Sequence, residues 1–223
     1  MSTPTPYLST LVLLCSAFPA QAFRVGLALT ADQRPAGRLR RVLARAWLPA
    51  GFLLVAALVW YVAPGSGVTT LPPAPGWFLV AVALGLAAPV VEIGTGVLVA
   101  VARGHRVGRV RLHERWGSAG WPVLGTALAV AVAEEVIFRG VGLHLLVTEL
   151  GWPAAAAVGL TAVGYGLNHL YFGPLTVLQM SVTGVLLGVL FLASGHSLLV
   201  VAVAHGVQNV AILGLARRRV VHR

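Results

Sequence analysis

The strongest constraint on this chain is the length of its uninterrupted apolar runs. Crossing a bilayer takes roughly 20 residues at about 1.5 Å each. About seven runs approach that length: a short one from Tyr7 to Phe23, then approximately Trp47 to Val62, Trp77 to Ala102, Trp121 to Val147, Trp152 to Tyr171, Leu175 to Ala193 and Leu198 to Ala216. Four of them open on a Trp, whose amphipathic ring suits the headgroup level. Of 223 residues, 58% are hydrophobic and only 10% charged, more apolar surface than a soluble domain of this size can bury. The sequence predicts an all-α, polytopic transmembrane bundle of about seven spans, without an internal repeat or room for a soluble domain between spans.

Charge then orients the bundle. The sixteen basic residues are all Arg, against six acidic ones, for a net +10. In a soluble protein that excess would raise the question of nucleic acid; here the arginines fall between apolar runs, where they set topology. One cluster (Arg24, Arg34, Arg38, Arg40, Arg41, Arg45) follows the first run, another (Arg103, Arg106, Arg109, Arg111, Arg115) the third, and Arg217, Arg218, Arg219 and Arg223 the last. These fall on one face of a seven-span count. The positive-inside rule makes that face cytoplasmic, with the amino terminus outside, the carboxyl terminus inside, and anionic lipid headgroups as partners of the arginines. The first run competes with a cleaved signal peptide, since Ala20-Gln21-Ala22 has the small-x-small pattern of a cleavage site. Against that, residues 1–6 carry no positive charge, and translocation would place Arg24 to Arg45 outside. The lone Cys15 excludes a disulfide framework and a thiolate metal cluster.

Chemistry enters with polar groups inside these runs. An ionisable residue at the membrane centre costs at least roughly 2.5 to 3.5 kcal/mol, so each is a functional candidate. The fourth run contains Ala133-Glu134-Glu135-Val136-Ile137-Phe138-Arg139-Gly140. Adjacent glutamates differ by about 100° around a helix, whereas Glu135 and Arg139, four apart, share a face in the favourable order for an ion pair. That pairing leaves Glu134 as the free carboxylate. The fifth run carries Tyr165 and His169, and the seventh carries His205 and Asn209, each pair again four apart and on one helical face. Gly140, Gly164, Gly166 and Gly206 permit close helix approach.

Taken together, Glu-Glu-x-x-x-Arg, an aromatic residue four before a His, and His-x-x-x-Asn, in this order, resemble the CPBP family of CAAX proteases and bacteriocin-processing enzymes, also called Abi. The resemblance covers about residues 121–215, with Tyr165 where the family usually has Phe. It implies an intramembrane peptidase, in which Glu134 matches the catalytic glutamate, His169 its partner, and His205 and Asn209 the last motif. The resemblance does not make a prenylated CAAX protein the substrate, and the Arg, Ala and Gly usage fits a GC-rich bacterial genome.

The same residues suit peptide hydrolysis on chemical grounds. Glu134 can serve as general base for water, with His169 sharing the task, while His205 and the Asn209 amide donate to the oxyanion. Alternatively, Glu134, His169 and His205 could hold a divalent metal such as zinc, so glutamic and metallo mechanisms both stand. The expected hydrolase is an intramembrane endopeptidase of the inner (plasma) membrane, acting on a peptide or protein at the membrane, with no nucleic-acid partner. The rival readings are an inactive scaffold or immunity-type protein, and a proton-coupled carrier. A single intramembrane His is more often a packing residue than a catalyst, and Glu135 with Arg139 is read chiefly as structural support. His144 and Glu92 have no assigned role, Glu92 being expected to make a hydrogen bond inside the bundle. By organisation, residues 1–120 form amino-terminal spans with Arg-rich loops, 121–216 the protease core, and 217–223 a basic tail.

Overall fold

The structure, a computed structural model, describes residues 50–58, 61, 71–106 and 121–221. The first run with its signal-peptide alternative, the Arg24 to Arg45 cluster, the loop at Ser66 and the arginines from Arg109 to Arg115 lie outside the described residues. Every regular element among those described is helical.

Helix α1 runs from Trp77 to Ala102, the same bounds as the apolar run, and ends at Arg103 and Gly104, the glycine at φ 72°. Helix α2, Trp121–Glu135, continues in wider π winding over Val136–Leu143 and Leu145–Glu149. In that stretch the backbone N–H of His144 reaches Arg139 O, and that of Leu150 reaches Leu145 O at 2.9 Å, five residues back. Such winding is rare and is concentrated at functional sites. Gly151 at φ 64° and Pro153 then reverse the chain into α3, Ala154–Leu167. A 3-10 turn over Leu170–Phe172 follows, and Gly173, at φ 102°, hands over to α4, Pro174–Ala193, with Pro174 in the first turn where no N–H is needed. Helix α5 is Leu198–Val221.

Helix α3 ends four residues before the apolar run does. Its 14 residues rise only about 21 Å, and the chain turns at Leu170 to Gly173. Three stretches, Trp77–Ala102, Pro174–Ala193 and Leu198–Leu215, are each long and apolar enough to cross a membrane, and α3 is a shorter apolar helix.

Helix α1 packs along α5, and α3 along α4, with α2 against α5. Small residues make these approaches close. A Cβ on Gly184 would sit 2.9 Å from Ala162 Cα, and one on Gly85 would collide with the Ala204 carbonyl, so α3–α4 and α1–α5 pack at backbone distance. The distribution of polarity is that of a protein solvated by lipid. Leu79, Val90 and Leu98 are 76%, 68% and 71% exposed, whereas Glu134, Glu135, Arg139, Thr183, His205 and Gln208 are buried. Exposed leucines cost nothing in hydrocarbon, and polar groups must find partners inside the bundle. A smaller apolar cluster, Phe52 and Ala56 with Ala133, Ile137, Phe138 and Tyr165, closes over the polar centre.

Candidate active site

Helix α2 supplies two carboxylates and a guanidinium just where its winding loosens. Arg139 Nη1 donates to Glu135 Oε1 at 3.1 Å, both side chains being buried. Arg139 Nη2 donates to the Gly184 carbonyl at 3.1 Å, tying α2 to α4. A side chain at Gly184 would press on Ala162 of α3 and shift the carbonyl that the guanidinium binds. The guanidinium carbon also lies 4.6 Å from the Tyr165 ring centroid, a cation–π contact.

Helix α5 brings His205 against the same carboxylate. Glu135 Oε1 accepts from His205 Nδ1 at 2.8 Å, so Glu135 serves two partners at once. This goes beyond the support role read from the sequence, in which Arg139 alone claimed Glu135. The other ring nitrogen, Nε2, is 3.8 Å from Glu134 Oε2 and 3.4 Å from the Tyr165 hydroxyl. The two adjacent glutamates, pointing in different directions, therefore address opposite nitrogens of one imidazole. One turn on, Asn209 Nδ2 donates to the Ala127 carbonyl of α2 at 3.3 Å. Both polar residues of this face of α5 thus bear on α2.

Helix α3 supplies Tyr165, and His169 follows its end. His169 Nδ1 donates to the Tyr165 carbonyl at 3.0 Å, since a carbonyl can only accept. This fixes the tautomer and leaves Nε2 with its lone pair. The Tyr165 ring packs against both imidazoles, 5.1 Å from that of His169 and 5.9 Å from that of His205. Glu134 and His205 thus meet directly, and His169 packs on the same Tyr165 ring, near enough for its charge to act on Glu134.

As candidate zinc ligands these residues fit only in part. Glu134 Oε2 and His205 Nε2, 3.8 Å apart, can share a metal at ordinary bond lengths of about 2.0 to 2.2 Å. His169 does not close on them: among the described residues no group of three His, Cys, Asp or Glu side chains is arranged to hold a metal ion.

A second polar cluster lies beside the first. Thr183 Oγ1 donates to Glu92 Oε1 at 2.7 Å, Gln208 Nε2 donates to the same oxygen, and Gln179 Nε2 donates to the Glu92 carbonyl at 2.8 Å. Glu92 therefore joins α1 to α4 and α5, and its Gln208 bond reaches the residue just before Asn209.

Residues 116–211 match the family model described as Type II CAAX prenyl endopeptidase Rce1-like. Over that stretch the chain is similar to the CAAX protease (CPBP) family. No curated protein and no solved structure compared with the chain matches it. The matched stretch takes in α2 to α4, most of α5, and the Glu134, Glu135 and Tyr165 partners of His205. It leaves α1 and Glu92 outside, so an element beyond the matched stretch braces the polar centre.

Within the matched stretch, the structure adds two features to the motif residues. One is the hydrogen bond from His205 to Glu135, which residue spacing could not show because it joins positions 70 apart in the chain. The other is the Tyr165 hydroxyl on His205 Nε2. Its four-residue spacing from His169 signals a shared face, but not the partner on α5. His144 lies away from this centre, its ring edge-on to that of His196 at 5.6 Å.

Proposed function

We propose that this chain is an intramembrane endopeptidase in which Glu134 activates the attacking water. The observation that carries the reading is the pairing of Glu134 Oε2 with His205 Nε2 at 3.8 Å, across α2 and α5, in a buried centre. The gap exceeds a direct hydrogen bond and allows one water to touch both groups. Glu134 takes a proton from water as the water oxygen bonds to the scissile carbonyl carbon, and returns that proton to the amine nitrogen as the C–N bond breaks. His169, whose free Nε2 can accept, shares the base role. His205, with Nδ1–H held by Glu135 and Nε2 also protonated, donates to the oxyanion together with the Asn209 amide. Glu135 and Arg139 support the site: the carboxylate holds the imidazole, and the guanidinium holds the carboxylate and α4.

Between the glutamic and metallo forms, the tyrosine hydroxyl on His205 Nε2 favours the glutamic one. Chelation separates them: the glutamic form keeps its cleavage rate in a strong divalent chelator, and the metallo form loses it. The reaction itself is tested by cleavage of membrane substrates by the native chain against Glu134→Gln.

The surrounding organisation completes the proposal. About seven spans place the amino terminus outside and the carboxyl terminus in the cytoplasm of the plasma membrane, with arginine-rich loops facing anionic headgroups. Residues 121–216 form the catalytic core, 1–120 the flanking spans that brace it through Glu92, and 217–223 a basic tail. The substrate is a peptide or protein presented at the membrane.

A further inference from the structure

Tyr165 is a side chain of the polar centre that touches both imidazoles and the Arg139 guanidinium and has been given no part in the reaction. It is 1% exposed and its ring is held on four sides. Phe138 meets it edge-on at 5.6 Å, His169 at 5.1 Å and His205 at 5.9 Å, and the Arg139 guanidinium lies 4.6 Å from its centroid. A ring fixed in this way can aim its hydroxyl in only one direction. That direction is His205 Nε2, at 3.4 Å.

The chemistry of the contact follows from the other ring nitrogen. His205 Nδ1 is committed as a donor to Glu135 at 2.8 Å. When the ring is neutral its only proton is on Nδ1, so Nε2 carries a lone pair and needs a donor. When Nε2 is protonated as well, it needs an acceptor. Glu134, which can only accept while ionised, suits the second state but not the first. A phenol hydroxyl can do both, by rotating one hydrogen.

We infer that Tyr165 is a positioning residue, whose hydroxyl can hold Nε2 of His205 in either protonation state and so keeps the imidazole aimed at Glu134. This rests on the peptidase reading for its consequence but not for the contact itself. Without the hydroxyl, Nε2 of the neutral ring is left unpartnered beside a carboxylate that repels its lone pair. The imidazole then loses orientation at one edge while Glu135 continues to hold the other.

The test is Tyr165→Phe, which keeps every ring contact and removes only the oxygen. In ¹⁵N-labelled protein reconstituted in lipid nanodiscs, with His205 assigned by its own substitution, the two ring nitrogens report separately. The expected result is that the Nε2 resonance moves and the Nδ1 resonance, held by Glu135, stays. With a cleavable membrane substrate, kcat falls about fivefold with KM unchanged, the effect of one net hydrogen bond. A purely structural role would instead move both resonances, or neither, and lower the melting temperature. An unmoved Nε2 resonance overturns the inference whatever the activity. A native chain that cleaves nothing overturns the peptidase reading, and the pair of resonances still decides whether the hydroxyl holds His205.

Discussion

His205 Nδ1 lies 2.8 Å from Glu135 Oε1, and this one bond converts a carboxylate that looked merely structural into the anchor of the imidazole facing Glu134. The same oxygen accepts from Arg139 at 3.1 Å. Helices α2, α4 and α5 are thereby joined through one atom and its two donors, because Arg139 also bonds the Gly184 carbonyl.

Glu135→Gln should therefore destabilise the bundle by roughly 3 to 5 kcal/mol, because Arg139 is left as an uncompensated buried charge. Adding Arg139→Met should restore part of the melting temperature in detergent but not the peptidase rate, since His205 still lacks the carboxylate on Nδ1. Full recovery of activity in the double variant would show that Glu135 acts only through Arg139.

Gly184→Val should be more damaging than its exposed-surface equivalents. Its Cβ would stand 2.9 Å from Ala162 Cα and 3.2 Å from Ala162 O; relieving that contact separates α3 from α4 and shifts the carbonyl that Arg139 binds. Overpacking of this kind costs about 1 to 3 kcal/mol. Thermal unfolding in detergent should show the loss, whereas Gly159→Val, which meets nothing within 4 Å, should leave the midpoint nearly unchanged.

Glu92 makes a prediction about the helix outside the matched family stretch. Thr183→Val removes a 2.7 Å bond to a buried carboxylate and should cost about 1 to 3 kcal/mol. Glu92→Gln, which keeps an acceptor for both donors, should cost less. Equal losses in melting temperature for the two variants would contradict the view that Glu92 is held chiefly as an acceptor.

Topology can be read independently of chemistry. A reporter fused after Arg223 or inserted near Arg40 should report the cytoplasm, and one near Ser66 the outside. A cytoplasmic signal at Ser66 would break the seven-span arrangement.

Much of this was legible in the residues themselves, and the gaps have physical causes. The bounds of α1 follow from its apolar run because Gly76 and the Arg103-Gly104 end punctuate it on both sides. The end of α3 does not follow from hydropathy, since Leu170, Tyr171 and Phe172 are as apolar as the helix they leave. What ends it is backbone: Gly173 at φ 102° and Pro174 require a turn before α4. Four-residue spacing revealed the Glu135–Arg139 pair because both lie on one helix. It could not reveal that His205, Glu135 and Tyr165 meet, because those contacts join three helices. The wider winding over Val136–Leu143 carries no apolar signature either, as its side chains are those of an ordinary helix.

The central claim is that Glu134 activates the water, and one comparison tests it most directly. Purified native protein and Glu134→Gln, each reconstituted in lipid, are incubated with the same membrane proteome, and new amino termini are counted by mass spectrometry. Removing a general base lowers rates by about 10² to 10⁴, so the native chain should generate a set of new termini that the variant does not, while both melt at similar temperatures. Equal cleavage by a folded Glu134→Gln protein would contradict the assignment of Glu134, and absence of cleavage by the native chain would contradict the peptidase itself.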